Sequence, residues 1–307
     1  MNVGEPVVQI DGRLSEAARK RILSRRGEPL LFADWERVLM IHFEVDADDL
    51  QRDVPFELDL WDGRAFVSLV AFTMRGMRLR LGGRLAAWLL RPIATHEFLN
   101  VRTYVRHGGE TGIHFLAEWL SNRLAVRLGP AMFGLPYRFG RIAYLHDWCE
   151  GSLRGYVMDV SAGTGLTYRA RLTSHVAFEL CETAASWRRS ESSFLSQVVF
   201  ETCEVGSLTE WLMERYSAFT CRQNKRRFFR VWHPPWRQCG VRVVMSDTSL
   251  IKQCWPWFGN ALLIGANFSP GLHDVWMGRP MICGGCADST AHDPGPAPSQ
   301  LTGAVRL

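Results

Sequence analysis

Tyr137 and Arg138 end the string GPAMFGLPYR, directly after a Gly134-Leu135-Pro136 turn. A phenol beside a guanidinium offers hydrogen-bond donors and fixed positive charge. Neither is an amine nucleophile, since a phenol cannot form an imine and a guanidinium stays protonated at working pH. A second set lies on the alternating segment Leu99 to Arg106, where Asn100, Arg102 and Tyr104 point one way and Leu99, Val101, Thr103 and Val105 the other. With Tyr137 and Arg138 these residues would form a pocket suited to a carboxylate or phosphate, which guanidinium binds bidentately. The alternative is a solvated or hydrogen-bonded strand face. On the next strand, His114 and Glu118 share a face by period-two spacing and could neighbour Asn100, either as an acid–base pair or as a satisfied structural pair.

Several elements must position these groups. Val38 to Val45 and Ala65 to Met74 read as strands, the second apolar on both faces and therefore buried on both. Leu99 to Arg106 and Ile113 to Trp119 read as a hairpin with its turn at His107 to Gly112. A helix runs from Ser121 towards Phe133 and stops before the Gly-Leu-Pro turn. Leu153 to Val160, Leu166 to Leu172 and His175 to Cys181 follow as strands. Ser207 and Glu210 form a capping box ahead of a helix whose Leu208, Trp211, Leu212, Tyr216 and Phe219 share one face. Arg227 to His233, Gly240 to Ser246, Ala261 to Asn267 and Leu272 to Met277 supply the remaining strands. The pattern Phe-Glu-x-Cys-Glu occurs at Phe178 and again at Phe200, which reads as a local duplication. Ser15 to Arg26 reads as a helix, so the expected organisation is an N-terminal helical appendage over 1–27, one barrel domain over 28–282 and a disordered Gly/Pro/Ser-rich tail over 283–307.

Composition narrows the function classes. With 307 residues, 47% of them hydrophobic, the chain can bury a substantial single core. Lys20, Lys225 and Lys252 are the only lysines among 36 basic residues, and the formal charge of +5 is spread along the chain. The basic aromatic run Arg222 to Arg230 lacks a recognised RNA or DNA fold signature, so no nucleic-acid partner is expected. The start MNVGEPVVQIDGR has no secretory pattern, and the apolar stretch Leu85 to Leu90 is far below the ~20 residues of a span. A cytoplasmic protein with no membrane segment is expected, its eight cysteines reduced. The histidines show no metal-binding spacing, Cys283 and Cys286 make a lone CxxC, and nucleotide glycine motifs are absent, so neither metal nor cofactor is expected.

Five strings in order, LNVRTYVRHGG, GLPYRFGR, GSLTEWLMERY, HPPW and SPGLHDVWMGRP, resemble the YqjF-like family of uncharacterised bacterial proteins. That family is grouped with the acetoacetate decarboxylase-like barrels. The resemblance implies a mainly β (α+β) fold, an antiparallel barrel with a few peripheral helices around a small-molecule pocket. It also implies that Tyr137 and Arg138 stand at the decarboxylases' lysine pair, whose first lysine forms a Schiff base, and Asn100 near a family glutamate. Expected roles are Tyr137 and Asn100 at the reacting centre, with Arg138, Arg102, Tyr104, His114 and Glu118 around a small organic anion and any catalysis non-covalent. The competing expectation is a non-enzymatic binding or scaffold protein with a filled barrel. Ligand identity, reaction and oligomeric state are not specified by these residues.

Overall fold

The computed structural model describes residues 12–147, 149–173 and 198–283. The expected strand His175 to Cys181, the first Phe-Glu-x-Cys-Glu copy and residues 284–307 lie outside them. In chain order the helices are α1 (Arg13–Leu23), α2 (Ala47–Asp53), α3 (Gly83–Leu90), α4 (Arg123–Phe133), α5 (Leu208–Met213) and α6 (Ser249–Cys254). The strands are β1 (Leu31–Val45), β2 (Glu57–Leu58), β3 (Ala65–Leu79), β4 (His96–His107), β5 (Glu110–Leu120), β6 (Tyr137–Asp147) and β7 (Ser152–Asp159), followed by β8 (Gly165–Leu172), β9 (Glu201–Thr202), β10 (Ser217–Arg222), β11 (Lys225–Trp232), β12 (Arg237–Asp247), β13 (Leu262–Met277) and β14 (Met281–Ile282).

Nine strands close a ring in the order β4, β5, β6, β7, β8, β12, β13, β1, β3 and back to β4. The fold is thus a β barrel with few helices. Its pairings are mostly antiparallel, but β5 runs parallel to both β6 and β10, so the sheet is mixed. A second closure runs from β5 through β10 and β11 to β13, where Val231 pairs with Met277. Strands β13, β1, β3, β4 and β5 therefore form a wall common to both closures, which is why β1 and β3 are apolar on both faces. One face packs Leu39, Ile41, Leu69 and Leu99 against Leu153, Leu166, Tyr168 and Val243 inside the nine-strand ring. The other packs Val38, Met40, Val70 and Tyr104 against Leu212, Ala218, Phe229 and Val231. Each such buried side chain contributes about 1.5–3 kcal/mol of transfer free energy.

The β4–β5 hairpin turns on Gly108 and Gly109, both at positive φ, with His107 opposite Glu110; this two-residue turn matches the right-handed strand twist. Three expectations need correction. The Ser207 helix ends at Met213: Phe219 lies in β10, and the Tyr216 carbonyl, just ahead of that strand, accepts from the Val231 N–H, with the β10–β11 hairpin closed by Gln223 and Asn224 at φ 50 and 58. The basic run Arg222 to Arg230 thus contains that hairpin turn. Second, β13 is a single strand, not two, with the bend at Gly271 (φ 134), where a Cβ would lie 2.1 Å from the Trp35 carbonyl oxygen. Third, α1 starts two residues before Ser15, whose buried hydroxyl donates to the His233 carbonyl at 2.6 Å. The helix is docked through Ala18 and Ile22. Cys283, assigned to the tail, is buried and donates its N–H to Arg226.

Candidate functional site

The common wall carries a polar row on the face towards α5. Register aligns Met40, Val70, Asn100, Glu118 and Tyr137 across β1, β3, β4, β5 and β6. His42, Ser68 and Arg102 align in the next row. The hairpin is as the alternation predicts, but β5 contains a bulge: Val101 pairs with Ala117 and Arg102 with Phe115, leaving Leu116 unpaired. The extra residue inverts side-chain parity. Glu118 consequently shares the face of Asn100 and Arg102, while His114 turns to the opposite face. There His114 pairs with Thr103 across the hairpin, lies 5.3 Å from the Phe56 ring and hydrogen-bonds the Phe219 carbonyl at 3.0 Å. The expected His114–Glu118 pair does not form.

Arg138 is likewise separated from the row, because adjacent residues of β6 face opposite ways. Its guanidinium lies 5.3 Å over the Trp119 ring and 3.0 Å from Cys254 Sγ, in an exposed setting. Tyr137 faces the row and packs against Phe98 and Gly129, where a Cβ would fall 2.1 Å from the Tyr137 ring. Glycine at 129 thus lets α4 approach the strand. Burial first, and the Glu118 carboxylate second, push the Tyr137 phenol well above its ordinary pKa.

The remaining residues form a directed chain. Tyr104 hydroxyl reaches the Leu212 carbonyl at 3.0 Å and must donate to it, so it accepts from Ser68 Oγ at 2.6 Å. Ser68 in turn accepts from His42 Nδ1 at 2.7 Å. Burial and the nearby Arg102 charge lower the His42 pKa to about 3. The ring is neutral, and its Nε2 lone pair is buried without a hydrogen-bond partner among the described residues. Neither His42 nor Ser68 stood out in the sequence, since a single histidine in an apolar strand carries no signal of its partner.

Arg102 donates through Nη2 to the Leu212 carbonyl at 3.3 Å and touches Met40 Sδ at 3.5 Å. Its Nε, Asn100 Oδ1 and Glu118 Oε2 are buried without a hydrogen-bond partner among the described residues. Such groups cost about 1–3 kcal/mol each, more when charged. Burial holds the Glu118 carboxyl well above the usual carboxylate range, favouring its protonated form. Next to the row, Arg215 pairs with Asp59 at 2.8 Å and stacks 4.1 Å over Trp211. That cation is neutralised; Arg102 has no carboxylate within ion-pair reach among the described residues. No group of His, Cys, Asp and Glu among them could hold a metal ion.

Residues 33–255 match the family model DUF2071, an uncharacterized conserved protein. The uncharacterized protein YqjF of Bacillus subtilis (strain 168) is 30% identical over 204 residues, 66% of this chain and 72% of that protein. An acetoacetate decarboxylase-like enzyme from Sphingomonas wittichii RW1 superposes with a TM-score of 0.52 at 15% identity, covering 83% of this chain and 93% of the other. The enduracididine biosynthesis enzyme MppR, solved with pyruvate, gives 0.50 at 13% identity, covering 85% and 93%. At these identities the structural likeness carries the fold alone.

Proposed function

The chain belongs to the DUF2071 family, and on its acetoacetate decarboxylase-like barrel we propose a non-covalent binding site for a small organic anion, built on the wall face of Asn100, Arg102, Glu118 and Tyr137. The observation that carries this reading is that Arg102 Nε, Asn100 Oδ1 and Glu118 Oε2, with His42 Nε2 in the same row as Arg102, are buried without partners among the described residues. Arg102 Nε needs an acceptor and brings an uncompensated positive charge, which a carboxylate answers. Asn100 Oδ1 needs a donor, which a hydroxyl or amine of the same molecule supplies. Glu118, whose burial favours the protonated form and whose Oε2 has no partner among the described residues, can donate a proton to a ligand oxygen. A hydroxy or keto acid of a few carbons has this complement of groups, and the pyruvate bound by MppR is of that class.

Arg102 replaces Arg138 as the anion anchor, because Arg138 sits on the opposite face. Tyr104 is a support, its hydroxyl committed to Leu212 and Ser68. The scaffold alternative draws on the interior of the nine-strand ring, which Trp119, Tyr168 and Phe268 fill; it predicts no saturable binding. A thermal-shift screen across keto acids, hydroxy acids and short acyl compounds separates the two, since a ligand at a hundred times its dissociation constant stabilises by about 2.7 kcal/mol.

Two results are expected. Arg102→Met should weaken binding of the best anion by about 1.5–3 kcal/mol, ten- to a hundredfold, while the free protein melts no earlier, because an unsatisfied buried guanidinium has been removed. Wild-type affinity in that variant would remove the anchor. Incubation with acetoacetate and borohydride should leave no covalent adduct by intact mass. Tyr137 cannot form an imine, and Lys20, Lys225 and Lys252 are all exposed on the surface. A reduced adduct on any lysine would contradict the non-covalent reading.

A further inference from the structure

Helices α3 and α4 expose an unusual amount of apolar surface. Leu85 and Trp88 are 68% and 67% exposed, and Leu89 on α3 and Leu124, Leu128 and Met132 on α4 are also exposed. The two helices adjoin, since Asn122 at the start of α4 donates to the Pro92 carbonyl just past α3 at 2.7 Å. A groove of about 590 Å³ runs beside Trp88, Leu89, Arg91 and Pro92. Arg84, Arg91, Arg123 and Arg127 are interspersed with these side chains. No Asp or Glu occurs in residues 80–96 or 120–146. Leu85 to Leu90 is too short to span a bilayer, and no helix among the described residues is long and apolar enough to do so. Lying on a surface requires no such length.

We propose that this face docks on an anionic phospholipid surface, with Leu85, Trp88 and Leu89 entering the boundary between headgroups and acyl chains and the arginines meeting lipid phosphates. Charge selects this occupant. Leucine and tryptophan beside arginine, without acids, is the pattern of an interfacial helix. Two copies joined through the face would bring arginines against arginines, with no carboxylate in either helix to answer them. Arginine stems also lie along apolar surface while their heads stay at the polar level. The docked face is separate from the polar row on the wall, so it does not depend on what binds there.

Co-sedimentation of the full chain with vesicles tests this, comparing phosphatidylcholine alone with an equal mixture of phosphatidylcholine and phosphatidylglycerol. Binding should be at least about tenfold stronger to the anionic vesicles and fall away between about 0.1 M and 0.5 M salt. Arg84→Gln with Arg91→Gln should lower binding to the anionic vesicles about thirtyfold, at about 1 kcal/mol per arginine. Leu85→Ser with Trp88→Ser should lower it at least about tenfold. Unchanged melting temperatures establish that the variants fold. No sedimentation with either vesicle, or equal binding to both, overturns the proposal. So does a dimeric mass in solution that reverts to monomer in the Leu85→Ser, Trp88→Ser variant, which gives the face to a second copy.

Discussion

Acidification from pH 7 to pH 4 is expected to unfold the protein. Burial is the first cause that lowers the pKa of His42 to about 3 and those of His96, His114 and His146 to about 4. The unfolded chain binds these protons near pH 6.5, before the folded one does, so stability present above that pH is lost as pH falls towards 4. Together the four histidines remove on the order of 10 kcal/mol by pH 4, comparable to the whole stability of a domain. Glu118 acts in the opposite sense. Its folded pKa is raised, so its contribution is fully present below the unfolded value and is lost as pH rises. One such group offsets only part of the loss. Far-ultraviolet circular dichroism across this range at constant salt should show a cooperative transition above pH 4; a melting temperature equal at pH 7 and pH 4 would refute it.

Asp59→Asn carries the second large effect. Arg215 and Asp59 are 7% and 14% exposed at the side chain and lie 2.8 Å apart. Removing the carboxylate leaves a buried guanidinium uncompensated between Tyr104 and Trp211, at an expected cost of about 3–5 kcal/mol. For a chain of this size that lowers the melting temperature by roughly 10 °C. Adding Arg215→Met to Asp59→Asn should recover much of the loss, because the stranded charge is then gone. If the single substitution melts within a degree or so of wild type, the Arg215–Asp59 pair does not stabilise the fold.

Much of the wall was legible from the chain. The alternation from Leu99 to Arg106 and the paired glycines after it specify a hairpin, and the doubly apolar run from Ala65 marks a strand with protein on both sides. Tyr137 to Asp147 carries no strand signal in sequence, because Arg138, Arg141 and His146 interrupt the apolar pattern on both faces. Tyr216 and Phe219 keep helical spacing from Ser207 by coincidence; the Gln223–Asn224 turn that folds β10 back onto β11 looks in sequence like part of a charged run.

The candidate site was legible by residue type and not by orientation. Asn100, Arg102 and Tyr104 share a face as their spacing requires, and Tyr137 joins them. Arg138 and His114 do not, for the same elementary reason: a strand shows alternate residues to alternate sides, and the bulge shifts the count. The Arg215–Asp59 pair joins positions 156 residues apart, and nothing local announces it. His42 and Ser68 become informative only once β1 and β3 lie side by side.

Leu116 sets how much change in length this strand tolerates. Because it is the unpaired residue, loss of its single codon would turn the bulge into regular pairing and leave Glu118 opposite Asn100 and His114 opposite Thr103, each on its present side. Inheritance of the acid therefore survives a one-residue shortening between His114 and Glu118. Among relatives, a gap of one position there would mark a straightened strand with the same side chains on the same face, not a different chemistry.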